Sequence, residues 1–175
     1  MTVKKTKSKE LIQNAFYELL EEKDFEAISI KEICEKAGVS RMSFYRYYST
    51  KEDIFIVICD ETFDRFFHRV VSMQLTTIKE MLLIFFQGLE RSKDKIEILK
   101  KAGKETILLS LFEQYSSYLV SKTNISLLKA GSNPYSTPYF AGAIYNVFIR
   151  WTNRYYAETP EQIVEIIDAL VNRRG

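Results

Sequence analysis

Eight residues from Arg41 to Tyr48 hold two arginines and three tyrosines, and no acid falls between Ala37 and Lys51. Guanidinium groups fork onto phosphate oxygens or the edge of guanine, and tyrosine and serine hydroxyls bond phosphate. The chemistry such a cluster can do is recognition of a polyanion. Catalysis has no comparable candidate in the chain. There is no nucleophile motif, no glycine-rich phosphate loop and no pair of histidines, and carboxylates such as Glu61 and Asp64 lie on helix faces that read as solvated. Cys34, Cys59 and the single His68 have no metal-ligand spacing, and no metal or other cofactor is expected. Both cysteines occupy apolar helical positions and read as small buried thiols.

The elements that must position this cluster are two short helices. Ser29 with Glu32 three residues on is a capping box and opens the first, whose inward face is Ile30, Ile33, Cys34 and Ala37. Gly38 ends it, and Ser40 caps a second helix about two turns long. The pair joined through "AGVS" reads as a helix-turn-helix. At about 100° per residue, Phe44 and Tyr48 fall together on the core side. Met42, Ser43 and Arg46 lie opposite, with Arg41 and Tyr45 on one edge and Tyr47 on the other. Thr50 with Asp53 opens the next helix. Lys51 sits in its first turn, where a cation opposes the helix dipole by about 0.3–1 kcal/mol unless a phosphate is bound there. Ser29 and Lys31 at the preceding helix start, and Lys4, Lys5, Lys7 and Lys9 in the first helix, are further phosphate candidates.

The whole chain is expected to be all-α. Its 175 residues are 46% hydrophobic and 14% aromatic, enough for a core, and its net charge of +2 leaves partner choice to local charge. The N-terminus carries no apolar run behind its lysines and no stretch reaches a membrane span, so a cytoplasmic protein is expected. Helices are expected over 4–22, after Ser29, after Ser40, from about Thr50 to Val71, and over about 77–92, 95–102, 104–122, 138–156 and 160–173. The division is 1–50 and 51–175, joined by the long fourth helix.

The stretch "ISIKEICEKAGVSRMSFYRYYSTKEDIF", with the amphipathic helix before it, resembles the DNA-binding domain of the TetR family of bacterial transcriptional regulators over about residues 8–55. The resemblance implies an all-helical homodimer on a palindromic operator, a repressor released when a small molecule binds the C-terminal domain. By position it implies DNA contacts from Ser29, Lys31, Ser40, Arg41, Met42, Ser43, Tyr45, Tyr47 and Lys51. The sequence departs from the family at three places. Tyr47 stands where histidine is frequent, Tyr48 where phenylalanine is frequent, and Met42 where a small residue or proline is usual. Tyr48 therefore needs a partner for its hydroxyl if buried.

The last two helices resemble the paired dimerisation helices of the family. The implied interface residues are Phe140, Ile144, Phe148, Trp151, Ile163, Ile167 and Leu170, on apolar stripes that also include Val147, Ile166 and Val171; each helix is apolar on more than one side, so the two are expected to serve the core of the subunit as well as the dimer. A ligand site between the fourth and eighth helices would be lined by Phe63, Phe67, Phe85, Phe86, Leu89, Phe112, Tyr115, Tyr118 and Tyr145, suiting a small apolar or aromatic effector. The competing reading is a TetR-like coactivator or architectural factor whose C-terminal domain binds a protein. A cavity above roughly 300 Å³ favours the effector, and a closed aromatic core without a cavity favours the protein partner or constitutive binding.

Overall fold

A computed structural model of the chain describes residues 2–122 and 133–172, with side chains over 7–117 and 133–172. Regular structure among the described residues is helical. It comprises α1 (Thr2–Glu22), a 3-10 turn (Phe25–Ala27), α2 (Ile30–Ala37), α3 (Arg41–Tyr45), α4 (Glu52–Ser72), α5 (Ile78–Arg91), α6 (Lys93–Lys101), α7 (Thr106–Lys122), α8 (Ser136–Asn153) and α9 (Pro160–Val171). The chain divides into two compact units. One is Met1–Glu61 with Asp94–Ile107, and the other is Thr62–Lys93 with Leu108–Gly175. The boundary expected at residue 50 falls inside the first unit. The physical reason is the start of α4: Ile54 and Phe55 are buried, and Phe55 meets Phe16 of α1 edge-on at 4.9 Å.

In the first unit α1, α2 and α3 pack on one another around Ile12, Phe16, Ile33 and Phe44, all fully buried. Local signals set the helix ends as the sequence requires. Ser29 Oγ accepts from the Glu32 N–H while the Glu32 carboxylate accepts from Ser29, the reciprocal cap of α2. Gly38 closes α2 at φ 64°, a left-handed value where a Cβ is strained, and the Val39 N–H returns to the Cys34 carbonyl. Ser40 Oγ accepts from the Ser43 N–H and starts α3. The Asp53 carboxylate accepts from the Ser49 and Thr50 N–H groups and caps α4 from inside. The α3 helix is shorter than the expected two turns. Its last turn tightens, with the Tyr47 and Tyr48 N–H groups both donating to the Phe44 carbonyl.

In the second unit α5 and α9 pack together. Phe86 of α5 meets Trp151 of α8 edge-on at 5.4 Å. The Trp151 Nε1–H donates to the Glu158 carbonyl at 2.8 Å, tying the end of α8 to the start of α9. Thr159 and Gln162 form a capping box around Pro160, whose missing N–H costs nothing in the first turn of α9. Pro138 falls in the first turn of α8 rather than at its very start.

Candidate nucleic-acid interface

The recognition segment divides as its helical period requires. Phe44 and Tyr48 point into the core of the first unit at 0% and 2% exposure, 5.5 Å apart between ring centroids. The other side presents Arg41, Met42, Tyr45 and Arg46 to solvent, with Ser43 and Tyr47 half-buried beside them. Met42 is 77% exposed and Tyr45 53%, so neither contributes much to the core. Lys31 is exposed on α2, 3.7 Å from Glu35, a pairing that solvent screens and an anion can displace. The arrangement is a basic and hydroxyl-bearing ridge on a two-helix support, and it suits phosphate oxygens and base edges.

Several candidates turn out to serve the fold. The Ser29 and Ser40 hydroxyls are committed to their own helix starts, which leaves the exposed ends of α2 and α3, more than those hydroxyls, to meet phosphate. Lys51 is a correction. It precedes α4 rather than occupying its first turn, and its ammonium is turned inward. Nζ donates to the carbonyls of Phe25 at 2.7 Å, Glu26 at 3.3 Å and Ile28 at 3.0 Å, and lies 4.2 Å from the Phe25 ring centroid. The sequence assigned that charge to phosphate because the carbonyls lie more than twenty residues upstream, beyond any local pattern. Lys9 pairs with Glu61 of α4, so it too bridges helices. Lys4 and Lys5 lie outside the described side chains.

Tyr48 carries the hydroxyl that the sequence flagged. It is buried without a well-formed hydrogen bond. Burial first pushes its pKa up to about 12; Gln13 nearby pulls it down, and the Glu61 and Tyr47 charges push it further up. Glu32 is shifted the other way. Hydrogen bonds from Lys23 and from the Ser29 N–H and hydroxyl hold its carboxyl down at about 2. Cys34 is buried and Cys59 half-buried, both free thiols. Burial pushes Cys59 up to about 12, so it stays protonated and unreactive at neutral pH. Among the described residues no group of histidines, cysteines and carboxylates could hold a metal ion.

In the second unit a cavity of about 70 Å³ is lined by Phe63, Phe67, Phe85, Phe112 and Tyr115 from the expected set. Phe66, Met81, Leu82, Phe140 and Ile144 join them. Phe86, Leu89 and Tyr145 are not part of the lining; Phe86 is fully buried against Trp151. Tyr118 lies outside the described side chains. Of the residues expected to serve core and dimer, several are core. Phe148, Trp151, Ile163 and Ile167 are buried within the subunit, because one face of α8 and one of α9 supply the core of their own unit. Phe140 and Ile144 face the cavity. The outward apolar residues of α9 are Ile166, Leu170 and Val171, and those of α8 are fewer, with Tyr139 and Ala143 exposed beside Asn146 and Arg150.

A capped helix-turn-helix with a buried aromatic pair beneath a basic ridge defines a DNA-binding unit. Residues 12–58 match the family model described as bacterial regulatory proteins, tetR family. Two uncharacterized HTH-type transcriptional regulators of Bacillus subtilis (strain 168) are similar. YuxN is 25% identical over 105 residues, covering 57% of this chain and 36% of its own length. YxbF is 24% identical over 172 residues, covering 93% of this chain and 44% of its own length. The chain thus spans less than half the length of these curated relatives. The crystal structure of Lin0861 from Listeria innocua shares the fold, with a TM-score of 0.77 at 22% identity over 98% of this chain and 92% of that one. Over residues 12–58 the N-terminal unit therefore resembles the DNA-binding domain of the TetR/AcrR family of transcriptional regulators. No helix among the described residues is long and apolar enough to cross a membrane.

Proposed function

We propose that the protein is a cytoplasmic repressor that binds a palindromic operator as a homodimer and leaves it when a small apolar effector enters the second unit. The observation that carries the operator reading is the outward set Arg41, Met42, Tyr45 and Arg46 over the buried pair Phe44 and Tyr48. In this reading Arg41, Tyr45 and Arg46 meet base edges and phosphate. Met42, Ser43 and Tyr47 add contacts along the ridge, and the ends of α2 and α3 at Ser29, Lys31 and Ser40 meet the flanking backbone. Two copies present two ridges, and successive major-groove faces are about 34 Å apart. The dimer uses the outward residues Ile166, Leu170 and Val171 of α9. Release works through α4, whose residues are shared between both units.

The cavity volume favours a second reading for the second unit alone. At about 70 Å³ it is well below the roughly 300 Å³ of a site preformed for a drug-sized molecule. A protein partner on the C-terminal unit, with DNA binding unchanged, fits that size without any opening.

The test is fluorescence anisotropy of the protein on its own upstream DNA at two salt concentrations, with Tyr45→Ala and Arg41→Ala beside wild type. Expected are palindrome-dependent binding, weakening in both variants, and a salt slope lowered by about 1 for a lost phosphate contact. Binding that ignores sequence, or variants that bind like wild type, removes the operator reading.

A further inference from the structure

We propose that Lys104, far outside the helix-turn-helix, is a positioning residue for DNA recognition: with Lys51 it clamps Phe25 and so fixes the starts of α2 and α4. The inference rests on the operator-binding reading above. Its first support is that Asp94–Ile107 belongs to the same compact unit as the helix-turn-helix. The end of α6 aims Lys104 there. Gly103 takes a left-handed φ of 65°, and the Lys104 N–H returns to the Leu99 carbonyl at 3.0 Å, the turn a helix-ending glycine makes. Ile96 and Leu99 are buried and anchor α6.

Phe25 is where these elements meet. Its ring contacts Phe16 of α1 at 6.2 Å and Phe55 of α4 at 5.6 Å. Lys51 Nζ lies 4.2 Å and Lys104 Nζ 4.6 Å from its centroid, both within cation–π range. Two ammonium groups over one ring repel each other, and each has an acid to offset that. Glu26 is 3.9 Å from Lys51, and Glu52 is 3.8 Å from Lys104. Lys51 also holds the carbonyls of Phe25, Glu26 and Ile28, the residues that lead directly into the Ser29 cap of α2. The carbonyls therefore fix the entry to α2, and Lys51 fixes it to the entry of α4. Lys104 completes the clamp from the α6–α7 turn and neutralises Glu52 in the first turn of α4. Without Lys104, Glu52 loses the cation that faces it at the start of α4.

The experiment uses the full chain with Lys104→Met, which keeps the aliphatic stem, and Lys104→Arg, which keeps the charge. Lys104→Met is made again in a Phe25→Leu background. Affinity is read on the upstream operator DNA and on a scrambled duplex. Hydrogen exchange is read at the amides of 28–32 and 49–54, and thermal midpoints confirm folding. Lys104→Met is expected to weaken operator binding about fivefold, the scale of one cation–π contact, and to speed exchange at both helix starts. Arginine restores both, and in the Phe25→Leu background the methionine effect falls below about twofold. Wild-type affinity and exchange in Lys104→Met, or an undiminished effect without the Phe25 ring, overturns the proposal. If wild type shows no sequence-dependent binding, the operator reading fails, and the exchange data still decide the clamp.

Discussion

Tyr48→Phe is expected to stabilise the protein and leave DNA affinity unchanged. The ring is 2% exposed and packs on Phe44 with centroids 5.5 Å apart, so phenylalanine keeps nearly all of the buried apolar surface. What changes is one hydroxyl, buried without a well-formed hydrogen bond. Leaving a polar group buried and unsatisfied costs about 1–3 kcal/mol. The nearness of Gln13, which pulls the Tyr48 pKa down against the larger effect of burial, shows that part of this cost is already relieved. The low end, about 1 kcal/mol, is therefore the expected gain. For a chain of this size it raises the thermal midpoint by about 2–4 °C. Urea denaturation of wild type and variant, with equal slopes, measures it directly. Anisotropy on operator DNA checks that the change stays inside the core. A loss of stability above about 0.5 kcal/mol in the variant refutes the reasoning, because the hydroxyl then has a partner whose bond outweighs its burial.

Gly38→Ala places a Cβ at φ 64° with no atom within 4 Å to clash, so the cost is backbone strain alone, about 1 kcal/mol, read by chemical denaturation. Asparagine at the same place costs less than alanine. The Glu32 carboxyl is held at about 2 in the folded chain against an ordinary 4.5, so its contribution to stability is full above pH 4.5 and is lost as pH falls towards 2. Urea midpoints of wild type and Glu32→Gln between pH 6 and pH 2 are expected to differ most at pH 6 and to converge in acid. Leu170 is 60% exposed, so Leu170→Glu spares the subunit fold and is expected to shift sedimentation from dimer to monomer, whereas Ile167→Glu, at a buried position, unfolds the chain.

The parts of this molecule that were legible in its sequence are those set by near neighbours. Ser29 with Glu32, Gly38, Ser40, Thr50 with Asp53 and Pro160 each act within a turn, and each ends or starts a helix where its chemistry requires. The inward Phe44 and Tyr48 and the outward Met42 and Tyr45 follow from a period of 3.6 residues alone. Where the reading missed, the deciding contact was distant in sequence. Lys51 looked like a free cation because the Phe25–Ile28 carbonyls are not visible from its own helix. Phe25 falls between the expected helices, yet it is buried at the meeting of α1, α4 and the α6–α7 turn. Nothing local marks Lys104 as its partner. For the paired stripes of α8 and α9, periodicity shows that a face is apolar but not whether it meets its own chain or a second copy.

On the proposed function, a small cavity in the second unit is compatible with release by an effector. The rings of Phe67 and Tyr115 lie nearly parallel at 4.5 Å, with Phe63 close to parallel to Tyr115 at 5.4 Å. Phe85 and Phe112 meet edge-on at 5.1 Å across the same cavity. Separating one such pair costs about 0.5–1.5 kcal/mol, while a ligand of micromolar affinity supplies about 8 kcal/mol. A flat aromatic molecule that parts Phe67 from Tyr115 replaces one stack by two, so ring for ring the opening recovers its own cost. Phe67 is carried on α4, whose residues fall in both units, and α4 is the element through which the proposed release works. Aliphatic molecules too large for about 70 Å³ have no such compensation and must open the unit against its packing. If an effector acts through this unit, flat aromatic compounds are therefore the ones to raise its thermal midpoint first, and a midpoint raised instead by bulky aliphatic compounds removes the ring-displacement route.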